Sequence, residues 1–234
     1  MPVGSNCIAC VVRGTDCFCS LPEDALPALS ALGTHLHFAA RERILHEGFA
    51  ADRIFVLCHG RIKLTASSSE GRLLLVRIAG PGDVLGLADA INHTKHKLTA
   101  ETLEPCELKA VPRVDFLAFL DRVQPASHNA VHAVAKDYDS AILSARRLAL
   151  SGNAAGKLAS VLIDWSRSLK STTADPTAIE FSMPLTHEEL GSMAGLSRET
   201  VTRLLSKFRA EKLAEQVGER IILYQPAKLE ALYS

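Results

Sequence analysis

The sequence predicts an α+β protein that contains a β-roll of the jelly-roll type, one long helix and a winged helix-turn-helix, in that order. Three observations lead to this prediction. Short apolar runs punctuated by glycines occupy residues 35–112, helical periodicity is unbroken over residues 126–151, and two short capped helices follow residue 184. Short strands separated by turn signals are typical of β-sandwiches and barrel-like rolls, and two helices joined by a tight glycine turn are typical of a helix-turn-helix.

The composition is that of an ordinary globular chain of one or two domains. The 234 residues are 47% hydrophobic and 22% charged, and 26 basic residues balance 26 acidic ones. This excludes a disordered chain and gives no global attraction to polyanions, although a local basic patch needs no net charge. The sequence has neither a membrane-spanning apolar run nor a secretory signal, so we expect a cytoplasmic protein with reduced cysteines.

Apolar runs of strand length mark the β-roll. They include Ile54–Leu57, Ile62–Leu64 and Leu73–Val76. Before these runs, leucines at helical spacing predict a short helix over residues 21–32. After them, two prolines bracket a second short helix, Val114–Val123.

The long helix carries apolar and small residues at alternating spacings of three and four, which is the pattern of a coiled-coil seam. The seam residues are Val131, Val134, Tyr138, Ala141, Ala145 and Leu148. The alternative is a single amphipathic helix packed on its own domain. The small residues and the unbroken spacing favour dimerisation through this seam.

The residues after 184 follow the rules for helix ends. Thr186 and Glu189 form a capping box, Ala194–Leu196 is a tight turn, and Ser197 caps a second helix that runs to about Lys212. Another predicted helix, over residues 154–169, precedes the helix-turn-helix. Leu213–Tyr224, with a glycine at its centre, predicts a β-hairpin wing.

The helix after Ser197 has the properties of a DNA-reading helix. Its N-terminal polar residues share one face, and an apolar stripe that includes Val201 and Phe208 lies opposite. Arginine pairs with guanine and glutamate accepts from cytosine, and such contacts come from the start of a recognition helix. The alternative is a solvated amphipathic helix with ion pairs. The candidate DNA-binding residues are Ser197, Arg198, Glu199, Thr202, Arg203 and Lys207.

The run Ser197–Leu205 resembles the recognition helix of the Crp/Fnr superfamily of bacterial transcription regulators, and Pro81–Gly86 resembles the β-roll turn of that family. The resemblance implies a cyclic-nucleotide-binding-type β-roll. It also implies a homodimer that binds a palindromic site on double-stranded DNA, and RNA polymerase as a partner if the protein is an activator. The implied segments are a cysteine-rich segment (1–20), a β-roll sensor domain (21–124), a dimerisation helix (125–152) and a winged helix-turn-helix domain (153–234).

The resemblance also indicates the DNA sequence. Arg198, Glu199 and Arg203 match the reading helix of the cyclic-AMP receptor branch, whereas the Fnr branch has valine at the position of Arg198. We therefore expect guanine-containing TGTGA-like half-sites rather than the TTGAT type.

Cyclic-AMP-binding members of the family carry a glutamate after the turn glycine, and an Arg-Ser or Arg-Thr pair beyond it. Here Gly86 is followed by Leu87, and the later stretch reads His96–Thr99 without an arginine. Lysine lacks the bidentate fork of arginine. A cyclic nucleotide is therefore not the expected ligand.

The Fnr branch holds a [4Fe–4S] cluster through three N-terminal cysteines and one β-roll cysteine. On this resemblance the expected cofactor is a [4Fe–4S] cluster that senses oxygen or redox state. Its ligands would be Cys7, Cys10, either Cys17 or Cys19, and Cys106. The gap between Cys10 and Cys17 is one residue longer than in the Fnr pattern, and Cys106 could instead be a small core residue. Cys58 is interpreted as core.

The sequence also allows other functions for the cysteines and the β-roll. The N-terminal cysteines could serve thiol–disulfide or zinc chemistry, or the β-roll could bind another small ligand, with haem on one of the histidines as a minor option. An enzyme with a β-roll regulatory module is a further alternative. The chain has no phosphate loop, nucleophile elbow or zinc-protease motif, so we expect a regulator and not an enzyme.

Overall fold

The computed structural model describes residues 7–10, 13–14, 17–150, 153–168 and 178–233. The chain divides into two compact units, Met1–Ala141 and Ile142–Ser234. Among the described residues, no helix has both the length and the apolar character that crossing a membrane would require.

The N-terminal unit is built on two antiparallel four-stranded sheets, so the predicted β-roll is confirmed. In spatial order the sheets are β1-β8-β3-β6 and β2-β7-β4-β5. The strands are β1 (Thr34–Phe38), β2 (Arg43–Leu45), β3 (Arg53–His59), β4 (Ile62–Ser67), β5 (Leu73–Ala79), β6 (Val84–Leu85), β7 (Thr99–Thr102) and β8 (Cys106–Pro112). All three predicted apolar runs lie in strands.

Two apolar cores lie on opposite faces of the first sheet. The inner core is shared by both sheets and includes Leu57, Leu64 and Leu108. The outer core packs helices and the N-terminal segment against the other face, and includes Ile54 and Val111. Because side chains alternate along a strand, the buried apolar residues of β3 and β8 face one core or the other.

Four helices pack around this unit: α1 (Leu26–Ala31), α2 (Leu87–Ile91), α3 (Arg113–Arg122) and the start of α4 (Gln124–Leu150). The helix predicted over residues 21–32 is shorter than expected. A proline in the first turn of α1 sets its start, as proline favours that position. Leu21 is nevertheless buried in the outer core.

The C-terminal unit begins within α4 and continues with α5 (Ala154–Ser168), α6 (His187–Ala194) and α7 (Arg198–Ala210). The predicted wing is present as β10 (Ala214–Val217) and β11 (Arg220–Leu223). Its sheet has a third strand that the sequence did not indicate, β9 (Ile179–Ser182), which pairs with β11. A last helix, α8 (Pro226–Tyr233), follows the wing.

Candidate functional site

Local capping chemistry sets the geometry of the helix-turn-helix. The Thr186 hydroxyl accepts from the Glu189 amide, and Glu189 accepts from the Thr186 amide, so the capping box is complete. Gly195 ends α6 in the left-handed region, with φ 66°. A Cβ on Gly191 would lie 2.6 Å from the Leu196 carbonyl oxygen, so glycine inside α6 lets the turn approach closely. The predicted motif is confirmed.

The structure places the predicted reading residues on one exposed face of α7. Ser197 caps the helix by accepting from the Thr200 amide, and Arg198, Glu199, Thr202, Arg203 and Lys207 are exposed. Val201, Leu204, Leu205 and Phe208 are buried on the opposite face. Hydrogen bonds from its own backbone amide and from Ser197 lower the pKa of Glu199, so this side chain is ionised at neutral pH. The face therefore offers arginine and lysine donors and one ionised carboxylate acceptor.

Polar contacts tie α7 to the wing. Arg209 on α7 pairs with Glu215 on β10 at 3.0 Å, and the Tyr224 hydroxyl donates to the same carboxylate at 2.8 Å. The hydrogen bond to Glu215 raises the pKa of Tyr224. These contacts were not predictable from the sequence, because they join residues on separate elements.

Helix α4 exposes an apolar stripe that overlaps the predicted seam without matching it. Exposed residues recur at spacings of four and three, and Val131 (68%), Tyr138 (66%) and Ile142 (41%) are the large ones. Val134 instead packs against the outer core, and Leu148 lies beside the Gly195 turn. We define the apolar stripe as Val131, Ala135, Tyr138, Ile142, Ala145 and Ala149, all exposed. Ala141 is exposed beside it.

A buried charge network joins the Pro81–Asp83 turn to α4. Arg77 contacts Asp83 at 2.9 Å and Asp137 at 2.6 Å, and Lys136 contacts Asp83 at 2.6 Å. Burial opposes the ionisation of Asp83, but Arg77 and Lys136 outweigh it and lower its pKa. The pKa of Asp137 is raised, chiefly by burial. The network fixes the turn to the helix within the N-terminal unit.

The chain's own side chains pack around Gly86, which follows the Pro81–Asp83 turn. Leu87 is buried beside Gly86, and a Cβ on Gly86 would lie 3.0 Å from His96 Cε1. His96 is itself buried, with Nδ1 at 3.5 Å from Asp89. This position thus presents an apolar residue and an imidazole instead of a carboxylate and a guanidinium.

Cys106 lies on the face of the sheet away from the N-terminal cysteines. It belongs to the inner core, and its thiol lies within hydrogen-bonding distance of two carbonyl oxygens, those of Glu104 at 3.1 Å and Arg61 at 3.5 Å. Burial raises its pKa to about 11. Cys7 and Cys19 pack instead against the outer core. The structure therefore does not bring Cys106 together with the other predicted ligands.

Cys58 is the thiol of the β-roll that lies near the N-terminal cysteines. Burial, then neighbouring Glu107, Cys7 and Cys10, raise its pKa to about 12. Burial and neighbouring Cys17 and Cys10 do the same for Cys19. Cys58 was interpreted as core, and its thiol is largely buried, on the side of the sheet that faces the N-terminal segment. Alternation along β3 from Ile54 and Val56, which face the outer core, could have revealed it.

The backbone holds Cys17 close to the same region. The Phe18 amide donates to the Gly82 carbonyl at 3.0 Å, and the Gly82 amide donates to the Leu57 carbonyl at 2.8 Å. A Cβ on Gly82 would collide with the Cys17 side chain. Among the residues that the structure describes, however, no three cysteine, histidine or carboxylate side chains are grouped as a metal site. The predicted set of Cys7, Cys10, Cys17 or Cys19, and Cys106 does not fit an [4Fe–4S] cluster as placed.

Two family models match the chain. The Crp-like helix-turn-helix domain matches residues 156–232, and the cyclic nucleotide-binding domain matches residues 35–123. The two matches coincide with the reading-helix unit and the β-roll.

Characterised proteins resemble the chain over nearly its whole length. The nitrogen fixation regulation protein FixK of Bradyrhizobium diazoefficiens is 23% identical, covering 99% of this chain and 95% of the relative. The transcriptional activatory protein AadR of Rhodopseudomonas palustris is 24% identical, covering 95% of this chain and 91% of the relative. The solved structure of FixK2 from Bradyrhizobium japonicum has a TM-score of 0.74 at 22% identity, covering 87% of this chain and 98% of that chain.

Proposed function

Because the chain belongs to the Crp/Fnr superfamily of bacterial transcription regulators, we propose that it binds a palindromic DNA site as a homodimer and acts in the cytoplasm as a regulator, not an enzyme. The observation that carries this proposal is the exposed face of α7, where Arg198, Glu199 and Arg203 project beside the capped N-terminus of the helix. Recognition helices read base edges with these N-terminal positions.

The apolar stripe of α4 supports the dimer. Exposed apolar residues at spacings of four and three are the pattern that a second helix covers. A two-fold dimer places its two reading helices on half-sites about one helical turn apart. The stripe and the reading helix together therefore favour a palindromic site with TGTGA-like half-sites.

Replacement of Arg198 by valine should relax discrimination at one base pair in each half-site. One bidentate contact between arginine and guanine contributes about 1–3 kcal/mol of discrimination. Fluorescence anisotropy with a TGTGA-containing palindrome and its single-base variants measures this. We expect the wild-type protein to bind more weakly to a duplex in which the contacted guanine is replaced. The Arg198→Val variant should bind both duplexes with similar affinity.

The matched control is Lys207→Ala on the same helix. Lys207 lies further from the helix N-terminus and is exposed, so we expect it to contact phosphate. Its loss should weaken binding evenly across sequences and flatten the dependence on salt. Unchanged discrimination in Arg198→Val would contradict the reading role of Arg198. No preference of the wild-type protein for any duplex would contradict the proposed function itself.

We further propose that the signal is read by thiols on the outer face of the first sheet, with Cys58 in place of Cys106 as the β-roll member. The set is Cys7, Cys10, Cys17 or Cys19, and Cys58. Cys7 and Cys10 contribute to the raised pKa of Cys58, which supports this set. The described thiols are not grouped as a metal site, so binding would have to draw them together. Soft thiolates select iron–sulfur clusters or zinc, and a cluster bound here would supply sensitivity to oxygen. At neutral pH the raised pKa values keep Cys19 and Cys58 protonated in the metal-free chain.

Iron and sulfide analysis of protein purified without oxygen tests this sensory proposal. We expect brown wild-type protein, a Cys58→Ser variant that has lost iron, sulfide and visible absorption, and a Cys106→Ser variant that retains all three. Iron-free wild-type protein would reject the cluster. Loss of iron in Cys106→Ser but not in Cys58→Ser would reject the new assignment.

A further inference from the structure

His187 is the junction between the three elements of the proposed DNA-binding surface. It is the first residue of α6, and its two ring nitrogens reach different elements. Nδ1 lies 2.8 Å from the Thr202 hydroxyl on α7, and Nε2 lies 3.1 Å from Gln216 Oε1 on the wing. One imidazole thus links the start of the helix-turn-helix, the reading helix and the wing.

The partners of His187 have hydrogen-bonding roles of their own. The Gln216 side-chain amide donates to the Gly218 carbonyl at 3.2 Å, so its oxygen faces His187 as an acceptor. The Thr202 hydroxyl donates to the Arg198 carbonyl at 3.0 Å, which leaves its oxygen as an acceptor toward His187. With these roles for Thr202 and Gln216, the imidazolium donates to both of them, whereas a neutral ring can donate to only one. In the neutral ring, Nδ1 would compete with the Arg198 carbonyl for the single Thr202 proton.

From this geometry we infer that His187 is a charge-bearing positioning residue, and that DNA binding stabilises its imidazolium form. The inference rests on the proposed DNA-binding function. In the complex with DNA, the imidazolium of His187 holds Thr202 and Gln216 in place and adds a positive charge beside the phosphates. Proton uptake is therefore linked to binding, and the affinity for DNA rises as the pH falls. Imidazole side chains change charge between about pH 5 and 8.

The neighbouring charges are of both signs. Acidic groups adjoin His187 on α6 itself, but the Glu189 carboxylate accepts from the Thr186 amide and Glu215 is held by Arg209. The reading helix contributes two arginines to the exposed face. The described charged side chains on α6 and on the elements around it are Glu188 and Glu189 on α6, Arg198, Glu199, Arg203, Lys207 and Arg209 on α7, Glu215 on β10, and Lys157 and Asp164 on α5.

The test measures the affinity for one palindromic duplex at about pH 6 and pH 8, at fixed salt, for three proteins. We expect wild-type protein to bind about tenfold tighter at the lower pH, since a charge-assisted hydrogen bond is gained. His187→Arg should bind tightly at both pH values, and His187→Gln weakly at both. The salt dependence of wild-type binding should also steepen at low pH by about 0.9 for each added phosphate contact.

His128→Gln, which removes an exposed histidine of α4, is the control and should keep the wild-type pH profile. A His187→Gln variant that keeps the wild-type pH profile would overturn the inference, because another group would then titrate. Wild-type affinity that does not change with pH would overturn it too. Failure of every protein, wild type included, to bind any duplex would instead reject the proposed function. Matching far-ultraviolet circular dichroism of the variants separates these outcomes from misfolding.

Discussion

Replacement of Arg77 by methionine is expected to lower the free energy of unfolding by about 3–5 kcal/mol. The side chain of Arg77 is 10% exposed and contacts two carboxylates, Asp83 and Asp137. Methionine has a similar length and no charge, so the variant leaves the buried Asp83 with Lys136 as its remaining cation, and leaves Asp137, whose side chain is 36% exposed, without Arg77. Breaking a buried pair on one side costs more than the pair contributes, because an uncompensated charge stays behind.

Urea unfolding followed by circular dichroism measures this loss. The matched control is Arg72→Met, since Arg72 pairs with Glu70 at 2.6 Å but the two side chains are 81% and 69% exposed. An exposed pair contributes about 0–1 kcal/mol. Equal destabilisation of the two variants would contradict a structural role for the buried network.

The network also predicts a dependence of stability on pH. Asp83 has a lowered pKa in the folded state, so its contribution is fully present above its unfolded value of about 3.9. That contribution is lost as the pH falls through the lower folded value. Asp137, with a raised pKa, acts in the opposite direction. Asp83→Asn should therefore flatten the acid side of the stability curve, whereas an unchanged acid side would exclude Asp83 as its source.

Replacement of Ala145 by glutamate is expected to convert the proposed dimer into monomers. Ala145 lies near the C-terminal end of the apolar stripe, between Ile142 and Ala149, and is exposed in the single chain. In a two-fold pair of helices each glutamate would be buried without a partner. Loss of the second reading helix should then weaken binding to a palindrome about 100-fold or more, because the two half-sites would no longer be bound together.

Sedimentation velocity and binding to the palindrome measure both effects. Leu143→Glu is the control, since Leu143 is 48% exposed on the same helix but lies outside the apolar stripe. That variant should remain dimeric. A dimeric Ala145→Glu variant, or a monomeric Leu143→Glu variant, would place the interface on another face of α4.

The elements governed by local chemistry were predictable from the sequence. The Thr186–Glu189 capping box, the Ser197 cap and the glycine of the wing turn all act within a few residues. The reading face of α7 follows from them, because helical spacing then separates its polar and apolar sides. The apolar strand runs of the β-roll were recognisable for the same reason.

The features that depend on distant contacts were not predictable. The seam of α4 stays a prediction, and the sequence could not show that Val134 also packs against the outer core of the β-roll. The burial of Cys106 in the inner core, away from Cys7 and Cys19, depends on the packing of the two sheets and could not be seen from cysteine spacing. The contacts of Arg77 with Asp137 and of His187 with Gln216 join elements far apart in the chain.

Selection of binding sites from random-sequence duplex DNA by the purified protein tests the DNA-binding function most directly. The exposed face of α7 and the stripe of α4 predict enrichment of a two-fold symmetric site, with guanine-containing TGTGA-like half-sites about one helical turn apart. Enrichment of TTGAT half-sites would contradict the reading role of Arg198. Recovery of no palindrome, or of no preferred sequence at all, would contradict the proposal that the protein is a dimeric, sequence-specific regulator.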